Sequence, residues 1–314
     1  MAMHTDEHHV DATTARLLIA EQFPQWSHLR VRPLATDGTV NAIHRIGEGL
    51  TARFPLHTQD PSAVDAELDR EARAMRELHD SCPFPTPTPI ALGHGGHGYP
   101  LSWSVQTWLP GDVASPTSVA DSTAFALDLV TLIRALRAAD VRGRAFTGIG
   151  RGGHLPASDA WMETCLTNSA GFLPVDRLGD LWSWFRTLPP AGPDVMSHGD
   201  LTPANVLVHE ERVVGVLDGG GFGPADPALD LVAAWHMLDG DARALLRREL
   251  DSDDVEWQRG AAWAFEQAMG AAWYYRESNP GMSALGRTTL ARILDDASIA
   301  AAAGGWLGSR APMR

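Results

Sequence analysis

The spacing of apolar residues switches between strand and helix patterns in the first hundred residues and is mainly helical after them, and this order restricts the folds open to the chain. Over residues 29–56 the apolar residues form short or alternating runs, LRVRPLA, NAIHRIG and LTARFPL, which predict three antiparallel strands. Residues 62–79 repeat apolar positions at helical spacing, with Ser62 as the expected N-cap. The segments IALGH and YPLSWSVQTWL then predict a pair of strands. The resulting order is β-β-β-α-β-β.

The rest of the chain has a mainly helical pattern, interrupted by one short insert at 196–223. In that insert two apolar runs, NVLV and VVGVLD, are separated by the polar sequence HEER, which predicts a small hairpin. We therefore expect an α+β protein with one domain over 1–108, a connection at 109–113 and a helical domain over 114–314. Helices are expected at 119–139, 159–168, 176–187, 227–238, 241–250, 254–276 and 282–302.

The charged residues limit the partners and the chemistry that this chain can have. The 314 residues include 25 Lys plus Arg against 39 Asp plus Glu, a net charge of −14, and every one of the 25 is arginine. This acidic balance argues against a nucleic-acid partner, because nucleic acids are bound through basic side chains. It suits a cationic small molecule if the acidic residues cluster at a site. The absence of lysine excludes a Schiff base and a lysine phosphate clamp.

The sequence also bears on location. The first residues, MAMHTDEHHVDATT, are too polar for a signal peptide, and no apolar run approaches the roughly 18 residues of a membrane span. Cys82 and Cys165 form neither a metal motif nor a disulfide framework. We expect a cytoplasmic monomer or homodimer with no membrane partner.

Two motifs carry the chemistry: SHGDLTPANVLV at 197–208 and VLDGGG at 216–221. Asp200 and Asn205 are five residues apart in a polar loop, and Asp218 ends a short apolar strand thirteen residues after Asn205. Carboxylate and carboxamide oxygens suit Mg²⁺ together with phosphate oxygens. A further aspartate can accept the proton of an attacking hydroxyl. This arrangement matches a phosphoryl-transfer layout.

A third match is a decoy. Gly93, Gly95 and Gly98 satisfy G-x-G-x-x-G, but a dinucleotide fingerprint must open a helix. A predicted strand follows here, so we interpret these glycines as a hairpin loop.

The run HGDLTPANVLV…VLDGGGFGPADPALDL closely resembles the aminoglycoside phosphotransferase family, the antibiotic kinases of the protein-kinase-like fold. The resemblance implies a two-lobe fold, with LPGD at 109–112 near the hinge. It also implies transfer of a phosphoryl group from ATP or GTP to a small-molecule hydroxyl. By motif position Asp200 would be the catalytic base, Asn205 and Asp218 would hold Mg²⁺, and His198 would support the loop.

The chain departs from the general kinase pattern in its small lobe. No glycine-rich loop covers the phosphates; Gly38 alone marks the first hairpin. The third strand should carry a lysine beside the α- and β-phosphates, and Arg53 stands there instead. An arginine fork grips phosphate or carboxylate bidentately. Its expected helix partner is Glu71, with Glu67 as the alternative. Gln106 and Trp108 complete the nucleotide contacts that we expect.

Substrate contacts are expected on the helix at 254–276. Glu266, Trp273 and Tyr274 are candidates, because carboxylates attract cations and aromatic faces stack on sugars. An aromatic stripe at helical spacing is more often part of the core, so a structural role is the alternative for these three residues. For Asp226 and Asp230 we expect structural roles.

Three functions remain open from the sequence. The first is an antibiotic kinase acting on an aminoglycoside-like compound, with macrolides and nucleoside antibiotics as close alternatives, which would confer resistance. The second is a kinase of a metabolic alcohol or sugar. The third is a nucleotide-binding pseudo-kinase that regulates a partner; the missing lysine motivates it, and the presence of Asp200, Asn205 and Asp218 opposes it.

Overall fold

The structure is a computed structural model that describes residues 8–34, 41–56, 60–115, 117–148 and 150–310. The contacts between residues divide the chain into two compact units. The first comprises Met1–Asp80, Pro85–Pro110 and Gly215–Gly221. The second comprises Ser81–Phe84, Gly111–Val214 and Phe222–Arg314. The segment that carries Asp218 therefore belongs to the first unit, although it lies far along the chain.

The first unit is built on a five-stranded antiparallel sheet in the order β1-β2-β3-β5-β4. The predicted three strands, helix and strand pair are confirmed. A helix, α1, precedes the sheet, and α2 separates β3 from β4. The elements are α1 Ala12–Gln22, β1 Val31–Pro33, β2 Asn41–Ile46, β3 Leu50–Pro55, α2 Pro61–Ser81, β4 Pro89–Gly93 and β5 Trp103–Thr107.

The start of α2 differs from the prediction. Ser62 was the expected N-cap, but the helix begins at Pro61 and the Asp60 side chain caps it. Asp60 Oδ1 accepts hydrogen bonds from the backbone N–H groups of Ser62 at 2.9 Å and Ala63 at 3.3 Å. Proline favours the first helical position, where its missing N–H costs nothing, so the cap moves back to Asp60.

The core of the first unit is aromatic. Phe54 on β3 stacks on Trp103 on β5, with ring centroids 4.8 Å apart, and Tyr99 meets Phe54 edge-on at 5.5 Å. The Trp103 ring also explains Gly93, because a Cβ there would lie 2.2 Å from the indole. β4 ends at Gly93 and pairs antiparallel with β5, so the glycine-rich segment is a strand connection, as predicted.

The second unit is mostly helical and carries two small sheets, β6-β8-β9 and β7-β10. The predicted hairpin is present as β8 and β9. Glu210 and Glu211, in the centre of its turn, both have positive φ, +49° and +59°, which is the geometry of tight hairpin turns. The elements are β6 Asp112–Val113, α3 Thr123–Ala138, α4 Asp159–Ser169, α5 Val175–Phe185, β7 Val195–Ser197, β8 Val206–His209, β9 Arg212–Val216, β10 Gly223–Ala225, α6 Val232–Met237, α7 Gly240–Leu250, α8 Asp254–Tyr274, α9 Pro280–Asp295 and α10 Ala297–Arg310.

The prediction of one helix over 282–302 is wrong. The chain leaves the helical conformation at Asp296, where ψ is 118°, and α10 starts at the next residue. The Asp296 carboxylate accepts from the N–H groups of Ser298 and Ile299 and from Arg243. A helix cap thus interrupts a segment whose apolar spacing looked continuous.

Within the described ranges, no helix has the length and apolar character needed to cross a bilayer.

Candidate active site

Asp200 lies in a loop between β7 and a 3₁₀ turn at Pro203–Asn205. Gly199 enters this loop with φ +85°, a conformation that favours glycine. The Asn205 side-chain nitrogen donates to Asp200 Oδ2 at 3.0 Å and to the Asp200 carbonyl oxygen at 2.8 Å. Its nitrogen makes both bonds, so a cation would meet the carboxamide oxygen of Asn205. The five-residue spacing in the motif is what closes this small ring.

Asp230 holds the start of the same loop. Its carboxylate accepts from Ser197 Oγ at 2.9 Å, from the His198 N–H at 3.0 Å and from the Gly199 N–H at 3.2 Å. Asp230 is 2% exposed, and a buried carboxylate needs such donors. Asp230 therefore braces the loop, in line with the structural role expected for it, and buried His198 lies beside it.

Asp226 is a structural anchor. Its Oδ2 accepts from Arg259 Nε at 2.7 Å and from Trp263 Nε1 at 2.9 Å, and both members of the Arg259–Asp226 ion pair are 4% exposed. The Arg259 guanidinium also donates to the carbonyl oxygens of Leu188 and Pro189. The buried charges are thus fully paired, and α8 is tied to the segment before α6.

Two residues that the sequence did not single out complete the surroundings of Asp200. Arg151 Nη2 donates to Asp200 Oδ1 at 2.8 Å, and Gln267 Nε2 donates to the same oxygen at 3.1 Å. Arg151 follows a glycine-rich turn, and Gly152 has φ +110° with a Cβ position only 2.7 Å from Ala225. The glycines on both sides of Arg151 were the sequence signal that could have identified it as a site residue. No such signal accompanies Gln267.

Asp218 lies in the first unit, with φ +57°. Arg53, on β3, donates from Nη2 to Asp218 Oδ1 at 2.8 Å; the Arg53 side chain is 13% exposed and that of Asp218 48%. The glycines that follow allow this approach to α2. A Cβ at Gly219 would lie 2.3 Å from Leu78, and one at Gly220 would lie 3.0 Å from Glu71.

Glu71 lies close to this ion pair on α2. Burial raises the pKa of Glu71, the positive charge of Arg53 opposes that rise, and Asp218 adds to it. Glu67, the alternative partner, forms an exposed pair with Arg70 at 3.2 Å. The structure thus places Glu71, rather than Glu67, in the electrostatic neighbourhood of Arg53, but the hydrogen bond from Arg53 goes to Asp218.

The other expected nucleotide contacts are scattered. Gly38 lies outside the described residues. Gln106, on β5, helps to line a cavity of about 320 Å³ between α2 and β4 that Glu71 also borders. The Trp108 ring packs under the Arg45 guanidinium, 4.1 Å from ring centroid to Cζ.

The candidate substrate residues lie on α8, the helix that also presents Gln267 to Asp200. Glu266 is 8% exposed, and among the described residues its Oε2 has no hydrogen-bond partner. Burial raises the pKa of Glu266, against the opposing positive charge of Arg151. Trp273 lies 6.0 Å from Trp161 of α4 and 5.6 Å from Tyr274, which is 41% exposed. Trp161 is a further aromatic residue that sequence reasoning missed.

The part of the sequence that carries these features also matches a protein family. The model of the phosphotransferase enzyme family, APH, matches residues 30–263, well over half of the chain. The chain belongs to the APH phosphotransferase family. This confirms the resemblance drawn from the HGD and DGGG motifs.

Curated aminoglycoside phosphotransferases match short parts of this chain. An aminoglycoside 3'-phosphotransferase from Escherichia coli is 40% identical over 60 residues, 19% of this chain and 22% of the relative. A second, from Salmonella typhimurium, is 33% identical over 76 residues, 24% of this chain and 27% of the relative. The chain thus spans about a quarter of the length of the curated relatives it matches.

Solved APH structures match over far more of the chain. The GDP and kanamycin complex of APH(2")-IIia has a TM-score of 0.66 at 17% identity, covering 87% of this chain and 95% of that one. The macrolide 2'-phosphotransferase MphH from Brachybacterium faecium has a TM-score of 0.55 at 20% identity, covering 83% and 91%. The protein-kinase-like two-lobe fold is therefore confirmed, with an antiparallel-sheet N-terminal lobe and a mostly helical C-terminal lobe.

The APH chain provides donors for Mg²⁺ but no protein cage. No cluster of three or more His, Cys, Asp or Glu that could hold a metal occurs in the part of the chain that the structure describes. Asn205, in the second unit, carries a carboxamide oxygen, and Asp218, in the first, carries a carboxylate. Each is the kind of oxygen donor that Mg²⁺ takes, since this ion keeps several waters and binds one or two protein groups together with nucleotide phosphates.

Proposed function

We propose that this chain is an NTP-dependent O-phosphotransferase that moves the γ-phosphoryl group of ATP or GTP to a hydroxyl of an aminoglycoside-like antibiotic, and so confers resistance. The observation that carries the proposal is the Asp200 carboxylate, held by Asn205, Arg151 and Gln267 on a loop braced by Asp230. Unlike the buried Asp226, this carboxylate is held in place yet partly exposed, so it is suited to accept the proton of an attacking hydroxyl.

In the proposed reaction an acceptor oxygen attacks the γ-phosphorus and the nucleoside diphosphate leaves. Asp200 accepts the hydroxyl proton. Oδ1 of Asp200 already takes two donors and Oδ2 one. A carboxylate oxygen has about two acceptor sites, so Oδ2 is the oxygen with room for the hydroxyl. Bound Mg²⁺ would neutralise charge on the phosphates, with Asn205 and Asp218 as its proposed protein ligands on the basis of their motif positions.

We assign Arg53 to the phosphates in place of the usual lysine. A guanidinium that already binds one carboxylate oxygen of Asp218 presents further N–H donors in the same plane. Glu71 lowers the local positive charge beside it. Arg53 could therefore bind a phosphate oxygen through these donors while it holds Oδ1 of Asp218, and the other carboxylate oxygen of Asp218 would hold the metal.

The surroundings of α8 support this acceptor class. Glu266 offers a buried carboxylate oxygen without a partner among the described residues, and Trp161, Trp273 and Tyr274 offer aromatic surface nearby. A carboxylate beside aromatic faces suits an amino sugar, which combines ammonium groups with sugar rings. Related structures contain kanamycin and gentamicin, which makes these two compounds the natural first acceptors. We also expect a cytoplasmic location, where ATP and GTP are available.

The test is nucleotide turnover by the purified chain with ATP and with GTP. The acceptors are kanamycin, gentamicin, a macrolide and a set of sugars and amino alcohols. Phosphorylation of an aminoglycoside, with the product identified by mass spectrometry, would support the proposal. Transfer to a sugar or amino alcohol alone would indicate a metabolic kinase. Nucleotide binding without transfer to any acceptor would indicate a pseudo-kinase.

A further inference from the structure

A continuous series of hydrogen bonds runs from Asp200 through Gln267 and His236 to Thr289, in the core of the second unit. We call this series the file. Gln267 of α8 donates from Nε2 to Asp200 Oδ1 at 3.1 Å. Gln267 Oε1 lies 2.7 Å from Nε2 of His236 on α6. Nδ1 of His236 lies 2.9 Å from Thr289 Oγ1 on α9. Three helices thus each contribute one side chain to the file.

The chemistry of the groups sets the direction of every bond. An ionised carboxylate only accepts hydrogen bonds, so Gln267 must turn its NH₂ group towards Asp200. Its oxygen then faces His236, which must carry its proton on Nε2. Nδ1 of His236 is left as an acceptor, and the Thr289 hydroxyl must donate to it. In the reverse direction the Gln267 oxygen would face the Asp200 carboxylate, and two acceptors would repel each other.

Burial keeps this file fixed. His236 is 2% exposed and Thr289 is fully buried. Burial lowers the pKa of His236 to about 4, and the hydrogen bond to Gln267 and the negative charge of Asp200 only partly oppose it. The imidazole is therefore neutral at physiological pH, and a neutral imidazole has one donor and one acceptor nitrogen. Arg292 anchors the same turn of α6 by donating to the His236 carbonyl oxygen at 2.7 Å.

We propose that Gln267, His236 and Thr289 are positioning residues that fix the Asp200 carboxylate for proton transfer. The proposal rests on the role of Asp200 as the base in the proposed function. Gln267 holds Oδ1, which leaves Oδ2 towards the acceptor. His236 and Thr289 act through Gln267: they make the orientation with NH₂ towards Asp200 the one in which every buried group has a partner. This arrangement positions a catalytic side chain from the core as well as from its own loop.

The first test separates positioning from stability. Thr289→Val removes the donor hydroxyl, and Thr289→Ser keeps it. Ser283→Ala is the matched control, because Ser283 is also a buried hydroxyl of α9 and donates to the Ala272 carbonyl oxygen of α8 at 2.7 Å. Its hydroxyl bonds to Ala272 and not to a residue of the file. Steady-state kinetics with ATP or GTP and kanamycin give kcat and both KM values, and thermal unfolding gives Tm.

We expect Thr289→Val to lower kcat by about tenfold, within the roughly hundredfold cost of a 1 Å misplacement, with both KM values unchanged. Thr289→Ser should recover most of that loss. Gln267→Leu should cost more than Thr289→Val. Ser283→Ala should lower Tm as Thr289→Val does but leave kcat near the wild-type value. Equal kcat for Thr289→Val and Ser283→Ala at full folding would overturn the proposal.

A second test needs no acceptor. Nitrogen-15 NMR of the imidazoles, with His236 assigned by comparison with His236→Gln, reports which ring nitrogen carries the proton. The wild type should show the Nε2–H form, and Gln267→Leu should shift His236 towards a mixture. An Nδ1–H form in the wild type would overturn the file of bonds. If no antibiotic is phosphorylated but the Nε2–H form is found, the proposed function fails while the file itself stands.

Discussion

Arg53 and Asp218 lie 165 positions apart in the sequence and form a hydrogen-bonded ion pair at 2.8 Å within the first unit. The strand β3 positions Arg53 between β2 and β5, with Ile43 and Ser104 opposite. The left-handed backbone at Asp218 and the glycines after it bring the carboxylate to α2 and β3. A cation of the sheet and an acid of the DGGG motif therefore act as one unit.

This pair makes Arg53→Lys a costly change. Lysine is shorter in reach and has no planar fork, so it cannot bind Asp218 and a phosphate oxygen in the same plane. Losing one charge-assisted contact of about 1–2 kcal/mol should raise the nucleotide KM or lower kcat by roughly 5- to 30-fold. Arg53→Ala should cost more. Unchanged nucleotide affinity and turnover in Arg53→Ala would show that another group holds the phosphates.

Asp218 is best tested with Asp218→Asn. Asparagine tolerates φ +57° as aspartate does, and it still accepts a hydrogen bond from Arg53. The charge that would bind Mg²⁺ is lost. We expect a folded protein with almost no turnover, and wild-type turnover that disappears in excess chelator and returns with Mg²⁺ or Mn²⁺. Full wild-type turnover in excess chelator would refute metal-dependent phosphoryl transfer.

Glu266 should produce a dependence of stability on pH. Because burial raises its pKa in the folded protein, the folded state binds the proton more tightly than the unfolded state. Its contribution to stability is full below the ordinary glutamate pKa of 4.5 and falls as the pH rises through the folded-state value. Glu266→Gln should therefore unfold at higher denaturant than the wild type at pH 7, with the difference shrinking towards pH 4.

The same variant should bind an aminoglycoside less well, because it lacks the carboxylate that we propose to face an ammonium group. A KM for kanamycin that stays at the wild-type value would remove Glu266 from the substrate site. Denaturant titrations at several pH values and kanamycin kinetics therefore test the two roles separately.

Asp226 is predicted to matter for stability. Asp226→Ala leaves Arg259 as a buried, uncompensated cation, which should cost about 3–5 kcal/mol of unfolding free energy. Asp159 is the matched control, since it also accepts from an arginine, Arg186, and from a tryptophan, Trp182, but its pair is 42% and 38% exposed. Asp159→Ala should cost about 1 kcal/mol or less. Equal costs in urea unfolding would contradict this account of burial.

Most of the predictions came from the local spacing of apolar residues and from the specific HGD and DGGG motifs. Alternating runs predicted β1, β2 and β3 because strands have a period of two, and the HGD and DGGG motifs predicted Asp200, Asn205 and Asp218 as candidates. What sequence missed depends on distant contacts. Arg151 reaches Asp200 from 49 positions away, and Gln267 from 67. No periodicity encodes such pairs.

The break at Asp296 and the cap at Asp60 were missed for another reason. Apolar spacing does not register a single capping carboxylate, and both caps are set by one side chain that accepts from the next backbone N–H groups. The partner of Arg53 is similar: family position made Glu71 the expected partner, but the turn at Asp218, with positive φ, brings a second carboxylate within hydrogen-bond distance.

The role of Asp200 as the catalytic base is tested by Asp200→Asn. Phosphate transfer from ATP or GTP to kanamycin is measured for the wild type, for Asp200→Asn and for Asp180→Asn, which makes the same change at an exposed position of α5. We expect transfer by the wild type and by Asp180→Asn. Asp200→Asn should fold and bind nucleotide, but its kcat should fall by about 10²–10⁴-fold. Near-normal transfer by Asp200→Asn would contradict the assignment of Asp200 as the base.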